Sequence, residues 1–244
     1  MAVATENRTT GYTSIVFDCD STLASIEGID ELAGPHADVI AALTDAAMDG
    51  RIPLGEVYGR RLEIIRPTRD QVEALSTRYV EALVEDARET VAALLWLGKD
   101  VRIVSGGLLP PVAALASELG VPSASVAAVG IEFTAEGEYS GFDQQSPLAG
   151  NQGKPVVLRG WSLTGPSMMV GDGSTDLEAG SETDIFVAYM GVAQRPKVAA
   201  AADVVLNARS LSPILALAAG EEDRLRLVSS PWADLLDRGD SLLG

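Results

Sequence analysis

The amino-acid sequence predicts an α/β fold in which helices flank a doubly wound parallel sheet. From residue 87 to residue 219, short apolar runs alternate with segments of helical spacing, a rhythm that is typical of such sheets. One further apolar run, SIVF, stands apart near the start of the chain. The stretch 23–81 that follows it is helical in pattern and too long for a strand-to-helix loop. We therefore expect a small all-helical insertion.

The first half of the chain contains one predicted strand and a series of predicted helices. SIVFD, at 14–18, reads as a buried strand because it begins with a continuous apolar run. Apolar residues at helical spacing recur in the four segments that follow, and glycine or proline supplies the stops. These segments are IDELAG, ADVIAALTDAAMDG, LGEVYGRRLEII and RDQVEALSTRYVEALV, and the stops are Gly34, Gly50 and Pro67.

The second half alternates between helices and strands. Helices are predicted at 87–97, 153–161, 174–180, 196–201 and 211–219, and in PPVAALASELG. Strands are predicted in DVRIVSGG, SASVAAV, SMMVGDG, DIFVAY and DVVL, with a hairpin in IEFTAEGEYSGFD around Glu136-Gly137. The charged segment after residue 220 is expected to form a helix that packs back on the rest. The predicted organisation is a core of 1–22 and 82–220, a helical cap of 23–81 and a C-terminal extension of 221–244.

Composition restricts the classes of function and location. The formal net charge of −17 argues against general binding to nucleic acid, which needs basic patches. No apolar run reaches the ~18 residues of a membrane span, and the polar start of the chain shows no signal peptide. A single cysteine, Cys19, indicates a reducing, cytoplasmic setting. A single histidine, His36, excludes a metal site built from several histidines.

Polar residues suited to phosphate or metal chemistry follow three of the predicted strands. SIVF leads into Asp18, Asp20 and Thr22, VRIV leads into Ser105, Gly106 and Gly107, and SMMV leads into Asp172, Gly173 and Asp176. In an open parallel sheet, ligands bind beyond the carboxyl ends of the strands. We therefore expect all three groups to face one crevice. This convergence supports a site for phosphate or metal chemistry more strongly than any single motif does.

The acidic residues of these groups point to a divalent cation. Asp18, Asp20 and Asp172 offer hard oxygen ligands, which suit Mg²⁺ better than a thiol-seeking metal. A cation would remove the repulsion between the first two carboxylates and would hold a phosphate oxygen. Ser105 offers a hydroxyl, and the glycines after it let backbone amides approach an anion. Beside such a site, Lys154 at the start of a predicted helix would clamp the transferring oxygens.

Two of the carboxylates can divide the work of phosphoryl transfer. Carboxylates can act as nucleophiles through aspartyl phosphates, and Asp18, at the strand end, is the expected nucleophile. Asp20 would protonate the leaving oxygen and then activate water. The helical insertion fits as a lid that excludes water and reads the substrate. A match of GDGSTD to a dinucleotide-binding turn is weak, because the third glycine is missing and bare carboxylates would repel a pyrophosphate.

Together these residues resemble the signatures of the haloacid dehalogenase (HAD) superfamily of phosphohydrolases. The motifs DxDxT, Ser, Lys and GDGxxD occur in the same order. Within the superfamily, the chain is similar to the phosphoserine phosphatases from about residue 12 to residue 219, for example in DSTLASIEGIDELA and MVGDGSTDLEA. The resemblance implies a HAD-like, Rossmann-like core with a helical cap. It also implies Mg²⁺ held by the Asp18 side chain, the Asp20 carbonyl and Asp172.

The resemblance also assigns roles around that centre. The expected phosphate ligands are Ser105, Gly106 and Lys154, and the expected supporting residues are Thr22, Gly107, Gly173 and Asp176. Of these, Asp176 would support Lys154 or the waters of the metal. In the cap, Glu27 would meet a substrate ammonium and Arg61 a substrate carboxylate. This pairing is physically sensible, because arginine grips a carboxylate with two parallel hydrogen bonds.

The expected function is Mg²⁺-dependent hydrolysis of a small phosphorylated metabolite, O-phospho-L-serine, by a monomer or homodimer. One alternative is a phosphatase for another small phosphate ester, with Glu27 and Arg61 reused. The other is a non-catalytic, receiver-like phosphoacceptor module. Asp20 and a cap of ~60 residues argue against this module, because a protein that retains its phosphoryl group needs neither. A panel of phosphate esters separates the two phosphatase hypotheses.

Overall fold

The computed structural model describes residues 10–48, 52 and 54–243, and its main sheet confirms the predicted fold class. The strands are β1 (Ser14–Phe17), β2 (Asp100–Leu108), β3 (Val126–Val129), β4 (Ile131–Phe133), β5 (Tyr139–Phe142), β6 (Ser167–Gly171), β7 (Ile185–Tyr189) and β8 (Val204–Leu206). Six of them pair in parallel in the order β3-β2-β1-β6-β7-β8. The direction of winding reverses between β1 and β6, where such sheets form a ligand crevice.

Helices connect the strands on both sides of the sheet. Between β1 and β2 lie α1 (Gly28–Glu31), α2 (Ala37–Met48), α3 (Leu54–Ile65), α4 (Arg69–Glu81) and α5 (Ala87–Leu97). After β2 lie α6 (Leu109–Glu118), α7 (Gly153–Trp161), α8 (Ser174–Ala179), α9 (Pro196–Ala199), α10 (Ser212–Ala218), α11 (Glu221–Val228) and α12 (Ala233–Leu243). The predicted stop at Gly50 lies outside the described residues. Within the described ranges, no helix has the length and apolar character needed to cross a bilayer.

The core consists of two apolar clusters, one on each face of the sheet. Alternate residues of β1 divide between them, with Ile15 and Phe17 in one cluster and Val16 in the other. All three side chains are fully buried, as expected for a parallel strand that is covered on both faces. Truncating side chains of this kind costs about 2–5 kcal/mol, so packing on both faces holds the carboxyl end of β1 firmly in place.

Helix α4 carries a tyrosine from the helical region to the carboxyl edge of the sheet. Its start is a capping box, in which the Gln71 amide donates to Thr68 Oγ1 and the Thr68 amide donates to Gln71 Oε1 at 2.8 Å. Val72, Leu75 and Tyr79 then recur at helical spacing and are buried. One apolar face of the helix is therefore buried, and Tyr79 is the last residue of that face.

The β4–β5 hairpin forms its own antiparallel sheet and packs against the helical region. The rings of Tyr58 and Phe142 lie 5.3 Å apart between centroids. Arg66 donates to the carbonyl of Tyr139 at 3.2 Å and lies over the ring of the same residue. Arg69 donates to a carbonyl of the hairpin turn at 3.1 Å. Aromatic and cationic contacts thus join the hairpin to α3 and α4.

The C-terminal segment forms two helices where the sequence analysis expected one. A turn at 229–232 that contains Pro231 separates α11 from α12, because proline disrupts the interior of a helix. Two ion pairs attach these helices to the rest of the protein. Lys99 Nζ lies 2.6 Å from Asp223 Oδ2, and the Arg238 guanidinium lies 2.7 Å from Asp86 Oδ1. The segment therefore packs back on the core, as expected.

Candidate active site

The predicted site residues meet in one cavity of about 370 Å³ at the carboxyl edge of the sheet. Its lining includes Asp18, Asp20, Glu27, Arg61, Ser105, Gly106, Gly107, Lys154, Asp172, Gly173 and Asp176. Thr22 is not part of the lining. It is fully buried, and its hydroxyl has no hydrogen-bond partner among the described residues. Three strand ends that are distant in sequence therefore contribute to a single site.

The chain leaves strand geometry directly after β1, which separates the two aspartates of the first motif. β1 ends at Phe17, and the Asp18 amide donates to the Val170 carbonyl of β6 at 2.9 Å. Ser21 then adopts a left-handed backbone conformation with φ of +54°. Because side chains alternate only within a strand, Asp18 and Asp20 need not share a face. The turn gives each carboxyl its own surroundings.

Lys154 is the positive centre of the site. It lies in the first turn of α7, and its Nζ is 2.6 Å from Asp18 Oδ1 and also pairs with Asp176. The other oxygen of Asp176 accepts from the Gly173 amide at 2.8 Å. Burial alone would lower the pKa of Lys154, but the carboxylates of Asp176 and Asp18 raise it above the usual value. The lysine is therefore charged at neutral pH.

Three buried carboxylates have the donor set of a cation site. Asp18, Asp172 and Asp176 each offer an oxygen, and these atoms lie within 4.8 Å of one another. Burial, followed by the charge of Asp176, raises the pKa of Asp18 well above its usual value and that of Asp172 to about 6. A positive ion bound beside these carboxyl groups would stabilise their ionised forms. Hard carboxylate oxygens are the ligands that divalent cations such as Mg²⁺ and Ca²⁺ take.

Asp20 occupies different surroundings from Asp18. Its Oδ1 accepts from the Tyr79 hydroxyl at 2.5 Å. Burial, and after it the negative charge of Glu27, raises the pKa of Asp20 to about 7, although the Tyr79 hydroxyl, the charge of Lys154 and the Gly28 backbone each lower this pKa. A carboxyl with this pKa can gain and lose a proton near neutral pH, which a general acid and base must do.

One backbone amide of the Ser-Gly-Gly segment is bonded within the segment itself. It lies inside the irregular end of β2, which extends to Leu108 after a shift in register against β3. The Gly107 amide donates to Ser105 Oγ at 2.9 Å, so this amide is already bonded within the protein. A Cβ atom on Gly107 would lie 3.1 Å from Ser105 Oγ and 3.2 Å from Asp20 Oδ2. The tight space explains a glycine here.

The cavity also contains an arginine that the sequence analysis missed. Arg195 Nε lies 2.6 Å from Asp172 Oδ2, and the same guanidinium lies 3.4 Å from Glu27 Oε1. It links Asp172, which follows β6, to Glu27, which precedes α1. The sequence does carry a signal for Arg195, because this residue follows the end of a fourth predicted strand. That strand is β7, which neighbours β6 in the sheet and ends at Tyr189.

Two residues of α3 that line the cavity each carry a buried donor with no hydrogen-bond partner among the described residues. Arg61 pairs with Asp30, yet its Nε has no hydrogen-bond partner among the described residues. The same holds for the hydroxyl of Tyr58, a second residue that the sequence analysis missed. Glu27, which also lines the cavity, accepts from the Ser21 hydroxyl at 2.7 Å. A buried donor without an acceptor costs about 1–3 kcal/mol, which an acceptor bound in the cavity beside Arg61 and Tyr58 would offset.

A doubly wound parallel sheet with these aspartates, this serine and this lysine at its carboxyl edge defines a phosphohydrolase of the HAD superfamily. The phosphoserine phosphatase of Bos taurus is 37% identical over 190 residues, which are 76% of this chain and 84% of that protein. The chain belongs to the phosphoserine phosphatase family. The chloroplastic phosphoserine phosphatase of Arabidopsis thaliana is 36% identical over 197 residues, 78% of this chain and 67% of that protein. No family model matches the chain.

Solved structures agree with this assignment. A phosphoserine phosphohydrolase-like protein from Francisella tularensis superposes with a TM-score of 0.72 at 26% identity, over 80% of this chain and 95% of that one. A substrate-bound phosphoserine phosphatase complex superposes with a TM-score of 0.71, over 84% of this chain and 97% of that one. At 23% identity, the second comparison shows the shared fold alone.

Proposed function

We propose that this protein hydrolyses O-phospho-L-serine to L-serine and inorganic phosphate, with Mg²⁺ as cofactor and an aspartyl phosphate on Asp18 as intermediate. One observation carries the proposal: two unlike carboxyls share a cavity, Asp18 bound to Lys154 and Asp20 bound to Tyr79. The names of the relatives support phosphoserine as the substrate. A single cysteine supports a cytoplasmic location.

The first half of the reaction transfers the phosphoryl group to Asp18. A carboxylate oxygen of Asp18 attacks phosphorus, and the bond between phosphorus and the seryl oxygen breaks. Asp20 gives its proton to that oxygen, so serine leaves as the alcohol. Lys154 balances negative charge on Asp18 and on the transferring oxygens. The Ser105 hydroxyl lies in the same cavity and offers a further hydrogen bond to these oxygens.

The second half of the reaction releases phosphate. A water molecule attacks phosphorus, and the carboxylate of Asp20 takes the proton that the water loses. The bond between phosphorus and the Asp18 oxygen breaks, which restores the carboxylate of Asp18. Inorganic phosphate leaves, and Asp20 is again protonated for the next turnover. The two carboxyls thus keep separate roles through both halves.

The cation site fits Mg²⁺ by the chemistry of its donors. Asp18, Asp172 and the carbonyl of Asp20 would hold the ion, and Asp176 would support Lys154 from the other side. When bound, Mg²⁺ stabilises negative charge on the transferring phosphoryl group. Asp18 and Asp172 belong to the group of three buried carboxylates whose oxygens lie within 4.8 Å of one another, which supports their part in this placement.

Recognition of the amino acid rests on the two sides of the cavity. Glu27 meets the substrate ammonium, since its carboxylate lines the cavity between Ser21 and Arg195. Arg61 meets the substrate carboxylate, and Tyr58 donates to the same group. This assignment gives both unpartnered donors of α3 an acceptor.

A panel of phosphate esters, with and without metal, tests the proposed function. We expect kcat/KM for phosphoserine to exceed that for phosphoethanolamine and glucose 6-phosphate by at least about 100-fold, because buried polar groups remain unpaired with the wrong substrate. Protein stripped with EDTA should release no phosphate until Mg²⁺ is restored. Comparable values on phosphoserine and sugar phosphates would refute the substrate, and full activity in EDTA would refute the cation.

The role of Arg61 predicts a defect that depends on the substrate. Arg61→Lys keeps the charge but loses the planar fork, so we expect KM for phosphoserine to rise about 10-fold. Phosphoethanolamine, which has no carboxylate, should show no such change. Arg60→Lys is the matched control, because Arg60 is exposed on the same helix. An equal rise in KM on both substrates would show that Arg61 does not read the carboxylate.

A further inference from the structure

We infer that Tyr79 is a positioning residue for this reaction: its hydroxyl orients the Asp20 carboxyl so that the carboxyl proton faces the leaving oxygen. The inference deepens the proposed function and rests on it. In the sequence, Tyr79 is one residue of the predicted helical segment RDQVEALSTRYVEALV and carries no motif of its own. The structure places it between the helical region and the residue that moves the proton.

The two oxygens of Asp20 face different neighbours. Oδ1 accepts from the hydroxyl of Tyr79 at 2.5 Å, and Tyr79 is fully buried. Oδ2 lies 3.2 Å from the position that a Cβ atom on Gly107 would take, and the Tyr79 hydroxyl lies 3.5 Å from the same position. The carboxyl and the hydroxyl therefore both border the Ser-Gly-Gly segment at the end of β2. Because the hydroxyl is bonded to Oδ1, Oδ2 is the oxygen that the tyrosine leaves available on this side.

Two helices hold this carboxyl in place. Tyr79 lies near the end of α4, and Gly28 begins α1. The missing side chain of Gly28 leaves the space that Tyr79 fills, because a Cβ atom at this position would overlap the tyrosine hydroxyl and ring. The contact between hydroxyl and carboxyl is thus built by the packing of both helices.

This arrangement selects the oxygen that carries the proton. Oδ1 already accepts the proton of a hydroxyl, so the carboxyl form of Asp20 carries its own proton on Oδ2. As the bond between phosphorus and the seryl oxygen breaks, that proton passes from Oδ2 to the seryl oxygen. In the second half of the reaction, Oδ2 takes a proton from the attacking water. Without Tyr79, the proton can sit on either oxygen and the carboxyl can rotate away.

This role is tested by how the effect of a Tyr79 substitution on kcat/KM depends on the leaving group of the substrate. A seryl alkoxide needs a proton to leave, whereas the p-nitrophenolate of p-nitrophenyl phosphate is a weak base and does not. We expect Tyr79→Phe to lower kcat/KM for phosphoserine about 10- to 100-fold, a part of the 10²–10⁴-fold that general acid catalysis contributes. The change for p-nitrophenyl phosphate should stay below about 3-fold, because kcat/KM covers only the steps through cleavage of the ester.

Two further variants separate positioning from folding. Tyr189→Phe removes the hydroxyl of another fully buried tyrosine, which bonds to the Arg209 carbonyl outside the cavity, and should leave both substrates unaffected. Gly28→Ala keeps the Tyr79 hydroxyl but displaces it, and should reproduce the loss that is selective for phosphoserine. Equal losses on both substrates in Tyr79→Phe, or no loss on either, would overturn the inference.

The same measurements distinguish this inference from the proposed function. If the wild-type protein fails to hydrolyse phosphoserine, the proposed substrate is wrong. The best alkyl phosphate of the ester panel then takes its place beside p-nitrophenyl phosphate. The selectivity of Tyr79→Phe between an alkyl and an aryl leaving group still decides whether Tyr79 orients the acid.

Discussion

Replacing Asp18 by asparagine is expected to lower the rate of phosphate release from phosphoserine by at least about 10⁴-fold, as loss of a nucleophile does in other enzymes. An amide cannot form the aspartyl phosphate that divides the reaction into two steps. Lys154 keeps its pairing with Asp176 in this variant, so the protein should still fold. Phosphate release at saturating phosphoserine and Mg²⁺ is the measurement.

Asp100→Asn provides the matched control for this substitution. Asp100 begins β2 and therefore lies at the opposite edge of the sheet from the site, where it pairs with Arg102. We expect its turnover to equal that of the wild type. Phosphate release that persisted undiminished in Asp18→Asn, with Asp100→Asn also active, would show that another residue is the nucleophile.

Replacing Lys154 by methionine is expected to affect stability as well as activity. The free energy of unfolding should fall by about 3–5 kcal/mol, because Asp18 and Asp176 remain buried without their counter-charge. Turnover should fall about 10²–10³-fold through loss of charge stabilisation. Urea unfolding followed by tryptophan fluorescence, together with phosphate release, measures both effects.

Lys197→Met is the control for the effect on stability. Lys197 is exposed on α9, and substitutions of this kind usually change stability by less than about 0.5 kcal/mol. Addition of Mg²⁺ should restore part of the stability of Lys154→Met, since the ion supplies positive charge to the same carboxylates. A Lys154→Met variant as stable as Lys197→Met would show that the buried aspartates do not need the lysine.

Much of the fold could be predicted because its signals are local. Apolar runs such as SIVF and the alternation of strands and helices are visible in the sequence, and the predicted helices at 87–97 and 153–161 have the same bounds in the structure. The convergence of Asp18, Ser105 and Asp172 followed from one property of parallel sheets, that their carboxyl ends meet at one edge. No side-chain contact had to be known for that step.

The missed residues depend on contacts between distant segments. Tyr58 and Tyr79 occupy positions in helical stripes that look like ordinary core, and nothing local shows that their hydroxyls reach a site. Arg195 follows a strand end but carries no motif of its own. The bond from the Gly107 amide to Ser105 Oγ forms at the irregular end of β2, after a shift in register that the sequence does not reveal. Each of these facts exists only after tertiary packing.

The close packing of Gly28 against Tyr79 limits how the two positions can change in a descendant lineage. A side chain gained at position 28 while the tyrosine is present collides with the tyrosine. Loss of the tyrosine first leaves a gap into which a side chain at 28 can grow. Substitutions at these two positions are therefore expected to occur in a preferred order, in which position 79 changes before position 28. The two positions are expected to evolve as a pair.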